Sequence, residues 1–382
     1  ATALAYYHTY VGHSSEAIIK LSDRVIRWSP PGMKKVYYGM SGSDANETQI
    51  KLVWYYHNVL GKPEKKKIIS RDRGYHGSGL MTGSMTGLPG FHQCFDLPFD
   101  RVKHTICPHW YRQAPEGMNE ADFTQYCAQK LEEMILAEGP DTVAAFIAEP
   151  VMGTGGLITP PVGYWEAIQQ VLRKYDILLI ADEVVCAFGR LGSPMGSHHY
   201  GIAPDLITTA KGLTSAYAPL SAVIVGERVW DVIERGSRDL GPMGHGWTYS
   251  GPPVCAAAAL ANLDILEREN ITANAAEIGA YLQQCMHATF DAHPLVGEVR
   301  GEGMLLGLEF MADRAARTPF DAALKVGPKV SAEALKRGMI ARAMPNGDIL
   351  GFAPPLVATR EDIDAIVAIT KDAVDAVASE VL

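Results

Sequence analysis

The chain has 382 residues, 47% of them hydrophobic, and a formal net charge of -9. At roughly 150 residues per domain that length implies two or three domains. The acidic balance argues against a nucleic-acid or anionic-membrane surface. Nor does a membrane-spanning run appear, because the apolar stretch from Val254 is interrupted by Asn262 and Asp264, well short of the ~20 residues a bilayer needs. The six cysteines (Cys94, Cys107, Cys127, Cys186, Cys255 and Cys285) form no C-x-x-C pair and no His/Cys metal spacing. They predict buried free thiols in a reducing compartment, the cytoplasm, and no metal site. Ala1 stands where an initiator Met would, so upstream residues are expected outside this sequence.

Residues 1–33 read as an arm plus one helix, with Tyr6, Tyr7 and Tyr10 close to His8 and His13; ordinary packing is the plain reading of that cluster. A short strand at 36–39 leads through Ser41-Gly42-Ser43-Asp44 into a helix with Ile50, Val53 and Trp54 on one face. Small residues at a strand-to-helix turn leave backbone N–H groups free for a phosphate, although Ser43 or Asp44 as a simple N-cap fits the same letters. The cluster Lys65-Lys66-Lys67 reads as a solvated loop. A strand at 67–70 reaches Tyr75-His76-Gly77-Ser78-Gly79, where Tyr75 either stacks on a flat heterocycle or packs within its loop. Residues 90–120, rich in Pro, His and aromatics, predict a long surface excursion, and 121–138 an amphipathic helix. A buried strand at 143–148 ends in Glu149-Pro150. The Gly153-Thr154-Gly155-Gly156 loop that follows lacks the dinucleotide-binding spacing.

A helix at 164–175 precedes the segment around which the chain is organised, Ile177-Leu178-Leu179-Ile180-Ala181-Asp182-Glu183-Val184. Four apolar residues running into two carboxylates predict a buried parallel strand with acids at its carboxyl end, the edge at which open α/β sheets bind ligands. The run Asp205 to Gly212 delivers Lys211 from a similar position. A buried acid and a lysine at one sheet edge suggest pyridoxal phosphate: the acid keeps the pyridinium nitrogen protonated and the lysine forms the Schiff base. A strand at 221–226, a helix at 227–235, a loop with Thr248-Tyr249-Ser250-Gly251 and an Ala-rich helix at 254–269 follow. Strands near 296–310 and 340–352 then mix with helices at 272–291, 323–337 and 360–380. The expected fold is α/β: a large domain, 34–269, with a mostly parallel central sheet, and a smaller α+β domain from 1–33, including the N-terminal arm, and 270–382.

In combination and in order, SGSDAN, GYHGS, AEPVMGTGG, ADEV, TTAKGL, GWTYSG and ARAMPNGD resemble the class III aminotransferases, pyridoxal-phosphate enzymes of fold type I. Within them the chain looks most like the ω-amino acid or amine:pyruvate transaminases, across essentially all its length. The resemblance implies that Ser41, Gly42 and Ser43 hold the cofactor phosphate, Tyr75 stacks on the ring, Asp182 pairs with the ring nitrogen and Val184 packs on the opposite ring face. It makes Lys211 the Schiff-base lysine and places Glu149 beside the site. It sends Thr248 to the phosphate of a neighbouring subunit, which implies a homodimer or a dimer of dimers. Arg342 matches a mobile arginine that binds the keto-acid carboxylate; its guanidinium fork suits both oxygens. Alone, Asp182 would also read as a helix cap and Arg342 as a surface ion pair.

Two departures separate branches of the family. Members using glutamate or 4-aminobutyrate carry a Glu where this chain has Thr154, which favours pyruvate as acceptor. The arm positions that line a partner's pocket in amine transaminases align with Val11 and His13, close to Tyr10. Tyr75, Thr154 and Val185 are expected as pocket walls, with Trp28 a weaker candidate. The implied activity moves an amino group from an ω-amino acid or primary amine to pyruvate, in two half-reactions through a pyridoxamine phosphate form. A glutamate/4-aminobutyrate-type aminotransferase, a 2,1-aminomutase, a decarboxylase and a cofactor-free binding protein are the alternatives.

Overall fold

The computed structural model describes residues 3, 4 and 12–382. Its strands are β1 Met33–Gly39, β2 Lys67–Arg71, β3 Val102–Thr105, β4 Val143–Ala148, β5 Leu178–Asp182, β6 Leu206–Thr209, β7 Ser221–Gly226, β8 Val296–Glu302, β9 Leu305–Phe310, β10 Arg342–Ala343 and β11 Ile349–Phe352. Its helices are α1 Glu16–Trp28, α2 Gly42–Val59, α3 Leu80–Met85, α4 Trp110–Gln113, α5 Glu120–Glu138, α6 Tyr164–Lys174, α7 Gly196–Tyr200, α8 Glu227–Leu240, α9 Pro253–Arg268, α10 Ile271–Phe290, α11 Val326–Lys336 and α12 Arg360–Val381.

Seven strands form one sheet in the order β1-β7-β6-β5-β4-β2-β3. β3, β2, β4, β5 and β6 run parallel, and β7 runs antiparallel to both its neighbours, β6 and β1. Every residue of β4 and β5 is buried, as continuous apolar strands covered on both faces must be. The pleat sorts β5 cleanly. Leu178 and Ile180 join the cluster under α2 and α8, Leu179 faces α5 and α6, and Ala181 faces α1 and α9. A second sheet, order β10-β11-β9-β8, is antiparallel throughout and shares a separate core with α10, α11 and α12.

Three expectations change. The 90–120 segment is not all excursion, since β3 pairs with β2 in register from Ile68 opposite Val102; four residues at a sheet edge carry too short a pattern to be read as a strand. Lys65 is not solvated. It is 3% exposed, and its ammonium donates to the carbonyls of Tyr175 and Asp176 at 3.2 and 2.8 Å, satisfying acceptors just past the end of α6. Residues 16–28 do not join the small sheet: Ile18, Leu21, Val25 and Trp28 pack with Ala256, Ala259 and Leu263 of α9.

Among the described residues no helix is long and apolar enough to cross a membrane. No cysteine is paired; four are buried, but Cys94 is exposed and Cys285 half-buried.

A buried ionic cluster joins the two sheets. His109 Nε2 lies 2.8 Å from Glu298 Oε2, Arg112 donates to Glu309, and Arg300 donates to both carboxylates. His109, Glu298 and Glu309 are close enough together to suggest metal ligands, but the two guanidiniums already occupy the carboxylates.

Candidate active site

The parallel strands decide where the chemistry sits, because five chain segments leave the large sheet at one edge. Ser41 follows β1, Tyr75 follows β2, Glu149 follows β4, Asp182 ends β5 and Lys211 follows β6. Together they line one cavity of about 460 Å³, with Gly42, Ser43, Thr154, Val184 and Val185. Its remaining wall includes Met40, Asn46, His76, Thr214, Pro219 and Leu220, none of which was singled out from the sequence.

Asp182 is 3% exposed. Its Oδ2 accepts from Asn46 Nδ2 and His76 Nδ1, each at 2.8 Å, and its Oδ1 from the Val184 amide at 3.2 Å. A carboxylate only accepts, so the His76 proton is on Nδ1. Asn46 is fixed in turn, donating also to the His76 carbonyl at 2.9 Å and accepting from Thr208 at 2.7 Å. No lysine or arginine pairs with Asp182 among the described residues. A buried anion held by donors alone has its strongest partner still to come.

The adjacent Glu183 points elsewhere, accepting from the Gly196 amide and from the amide and hydroxyl of Ser197. Burial pushes its carboxyl up to about 7 against those hydrogen bonds.

At the start of α2, Ser41 and Asp44 form a capping box: the Ser41 hydroxyl accepts from the Asp44 amide at 3.2 Å. The Asp44 carboxylate turns back to the amides of Met40 and Ser41 and to Ser221. The first-turn amides of Gly42 and Ser43 have no acceptor within the helix. Gly42 lies close to Val184, and a methyl group in its place would sit 3.0 Å from Val184 Cγ2, so that side chain would have to give way.

Glu149 bridges two loops. Its Oε1 accepts from the Tyr75 amide at 3.0 Å and its Oε2 from the Gly153 amide at 2.8 Å, while burial raises its pKa. Arg71, fully buried between Tyr164 and Trp165, donates to the Glu149 carbonyl at 2.6 Å. The Tyr75 ring meets Phe91 edge-on at 5.4 Å. Lys211 sits at φ +36°, a left-handed conformation unusual for a residue with a side chain.

Other candidates stand apart from this cavity. Arg342 is exposed on β10, paired with Gly351. Thr248 is exposed between α8 and α9. Trp28 is not a pocket wall: its indole donates to Glu267 at 2.8 Å and its ring lies 5.8 Å from Phe188. Tyr10 and Val11 lie outside the described residues.

A phosphate-sized group of amides, a buried acid lacking a cation and a lysine on one cavity fit pyridoxal phosphate. The class-III aminotransferase family matches residues 2–374. The chain belongs to the class III aminotransferases. It is 66% identical over 99% of its length to a diaminobutyrate–2-oxoglutarate transaminase of Halomonas elongata, covering 81% of that protein. It is 46% identical to the mitochondrial γ-aminobutyrate transaminase 1 of Oryza sativa, over 98% of this chain and 72% of the relative. A solved ω-transaminase from Pseudomonas jessenii, in complex with PMP, superposes with a TM-score of 0.96 at 46% identity, covering 98% of this chain and 82% of that one.

The enzyme is therefore a pyridoxal-phosphate-dependent aminotransferase, and the fold expected from the sequence is the one observed. When bound, the cofactor supplies the electron sink for removing a proton beside the substrate's amino group. The buried Asp182 carboxylate lines the cavity that would hold it and would face the ring nitrogen as a hydrogen-bond acceptor. Lys211 lines the same cavity, and its amine would be a base able to take a proton from the substrate carbon and return it.

Proposed function

We propose that this aminotransferase moves the amino group of an ω-amino acid or a primary amine to pyruvate. Support for the acceptor comes from Thr154, which lines the cavity as a small neutral residue where the glutamate-using branch has a Glu. Without that acid, Arg342 has one less partner to hold it away from a small keto acid. In this reading Ser41, Gly42 and Ser43 bind the phosphate, Tyr75 and Val184 sandwich the ring, and Glu149 orders Tyr75 and the Gly153 loop. Thr154 and Val185 then form the substrate wall, with Tyr10 and Val11 contributed from a partner's arm. Thr248 serves the phosphate of the other protomer, in a homodimer or a dimer of dimers. The proposed location is the cytoplasm, in keeping with six unpaired cysteines. The proposed units remain 34–269 and a smaller one containing 270–382, with α1 seated on the former.

A second reading, 2-oxoglutarate as acceptor, is favoured by the name of the 66% identical relative. Loading the protein with pyridoxal phosphate and following its visible band separates the two. A carboxylate-free primary amine should bleach the band. Pyruvate should then restore it at least tenfold faster than 2-oxoglutarate. The reverse order establishes the second reading. A band that no amine bleaches points to the aminomutase or decarboxylase chemistry. If no band forms in the wild type, and Lys211→Ala changes nothing, the cofactor role given to these residues fails.

A further inference from the structure

The segment carrying Thr248 is pinned to the flank of α2 by bonds that converge on one hydroxyl. His245 Nδ1 lies 2.9 Å from Lys51 Nζ, and its Nε2 lies 2.9 Å from Thr48 Oγ1. An ammonium only donates, so Nδ1 is the acceptor and the ring's proton is on Nε2, donated to Thr48. Trp247 Nε1 donates to the same hydroxyl at 3.0 Å. Thr48 donates onward to the Asp44 carbonyl at 2.8 Å. A hydroxyl that accepts twice and donates once has its full complement. The Trp247 amide is held as well, by Tyr37 Oη at 2.9 Å and Ser250 Oγ at 3.1 Å. Burial, with Lys51 adding to it, lowers His245 to about 4, so the ring keeps this neutral tautomer at working pH.

Thr248 follows Trp247 directly and is exposed, away from its own chain's cavity. We propose that Thr48 and His245 are positioning residues for the other protomer's cofactor, fixing the loop from which Thr248 reaches the partner's phosphate. This rests on the dimer reading of Thr248 given above. One helix then serves two sites. The N-terminus of α2 offers amides to its own phosphate, and Thr48, six residues along from Gly42 and so ~9 Å up the axis, holds the loop that serves the neighbour's.

The test compares pyridoxal phosphate with pyridoxal, which lacks only the phosphate. Apoenzyme is titrated with each and followed by visible absorbance, and each variant's assembly is checked by sedimentation. Thr48→Val and His245→Ala should weaken pyridoxal phosphate about tenfold, the effect of losing one hydrogen bond to a charged group. They should leave pyridoxal within about twofold, because no phosphate contact is at stake. His245→Gln, which keeps an N–H where Nε2–H stood, should recover most of the loss. Thr248→Ala is the reference and should show the same phosphate-selective loss. The proposal falls if Thr48→Val and His245→Ala weaken both ligands alike, or are monomeric. It also falls if they weaken neither while Thr248→Ala does. If Thr248→Ala itself has no effect, the dimer reading of Thr248 falls and takes the proposal with it.

Discussion

Asp182 accepts hydrogen bonds from two side chains that start far from it in sequence, Asn46 and His76, 136 and 106 positions away. Removing either leaves a buried carboxylate short of a donor, a loss of ~1.5–3 kcal/mol for a hydrogen bond to a charged group. Asn46→Ala and His76→Ala should therefore each weaken cofactor binding about tenfold or more. Because the carboxylate proposed to face the ring nitrogen then has fewer hydrogen-bond partners, the pH titration of the bound cofactor's visible band should shift as well. Spectral titration measures both, and an unchanged titration in His76→Ala would remove His76 from this role. Tyr75 and Ser43, which an aromatic in a glycine-rich turn and small residues at a helix start single out in the sequence, both line the cavity. Asn46 and His76 lie in the same two motifs but were passed over. An amide inside a helix and a histidine beside a tyrosine acquire meaning only when the β5 carboxylate is brought against them.

At the scale of elements, strand ends carried most of the information. Three buried runs of the large sheet stop at polar residues that line the cavity: Ala148 before Glu149, Ala181 before Asp182 and Ala210 before Lys211. What stayed hidden was short or depended on tertiary partners. β3 has four residues, and Lys65 is buried because two carbonyls near the end of α6 need a donor. Two helices here share a capping box, α2 at Ser41 and α12 at Thr359. Their alanine variants make a controlled pair. Ser41→Ala and Thr359→Ala should each destabilise the apoenzyme by ~1 kcal/mol in urea unfolding. Only Ser41→Ala should also lower affinity for pyridoxal phosphate. Equal cofactor affinity in the two variants would separate the α2 cap from the phosphate site.

Across the whole molecule, the Arg300–Glu309 cluster ties the small sheet to the large one. Burial opposes ionisation of Glu309, but Arg300, His109 and Arg112 prevail and hold its carboxyl down to about 2 from an ordinary 4.5. A carboxyl lowered on folding stabilises the native state above its unfolded value. That contribution is fully present at neutral pH and is lost as pH falls from about 4.5 towards 2, amounting to roughly 3 kcal/mol. Glu309→Gln should flatten this part of the acid-unfolding curve. At pH 7 it should cost ~3–5 kcal/mol, because it leaves buried guanidinium charge uncompensated. Urea unfolding at a series of pH values checks both. The cluster was not legible in the sequence, where its members are scattered from 109 to 309 and each reads as a surface charge.

Arg300 also reaches the loop that follows Thr154, donating to the Gly156 carbonyl through Nε at 3.1 Å and Nη2 at 2.6 Å. The neighbouring Gly155 is hemmed in by main chain, and a methyl group there would fall 2.2 Å from the Arg73 carbonyl oxygen. Gly156 has φ +130° and no room beside the Ile349 side chain. The loop that sets Thr154 on the cavity is thus fixed by its glycines. If the proposed pocket were recut for bulkier amines, Thr154 and Val185, which line the cavity, are the positions to exchange. Gly155 and Gly156 leave no such freedom, so the path of their loop would stay fixed through such a redesign.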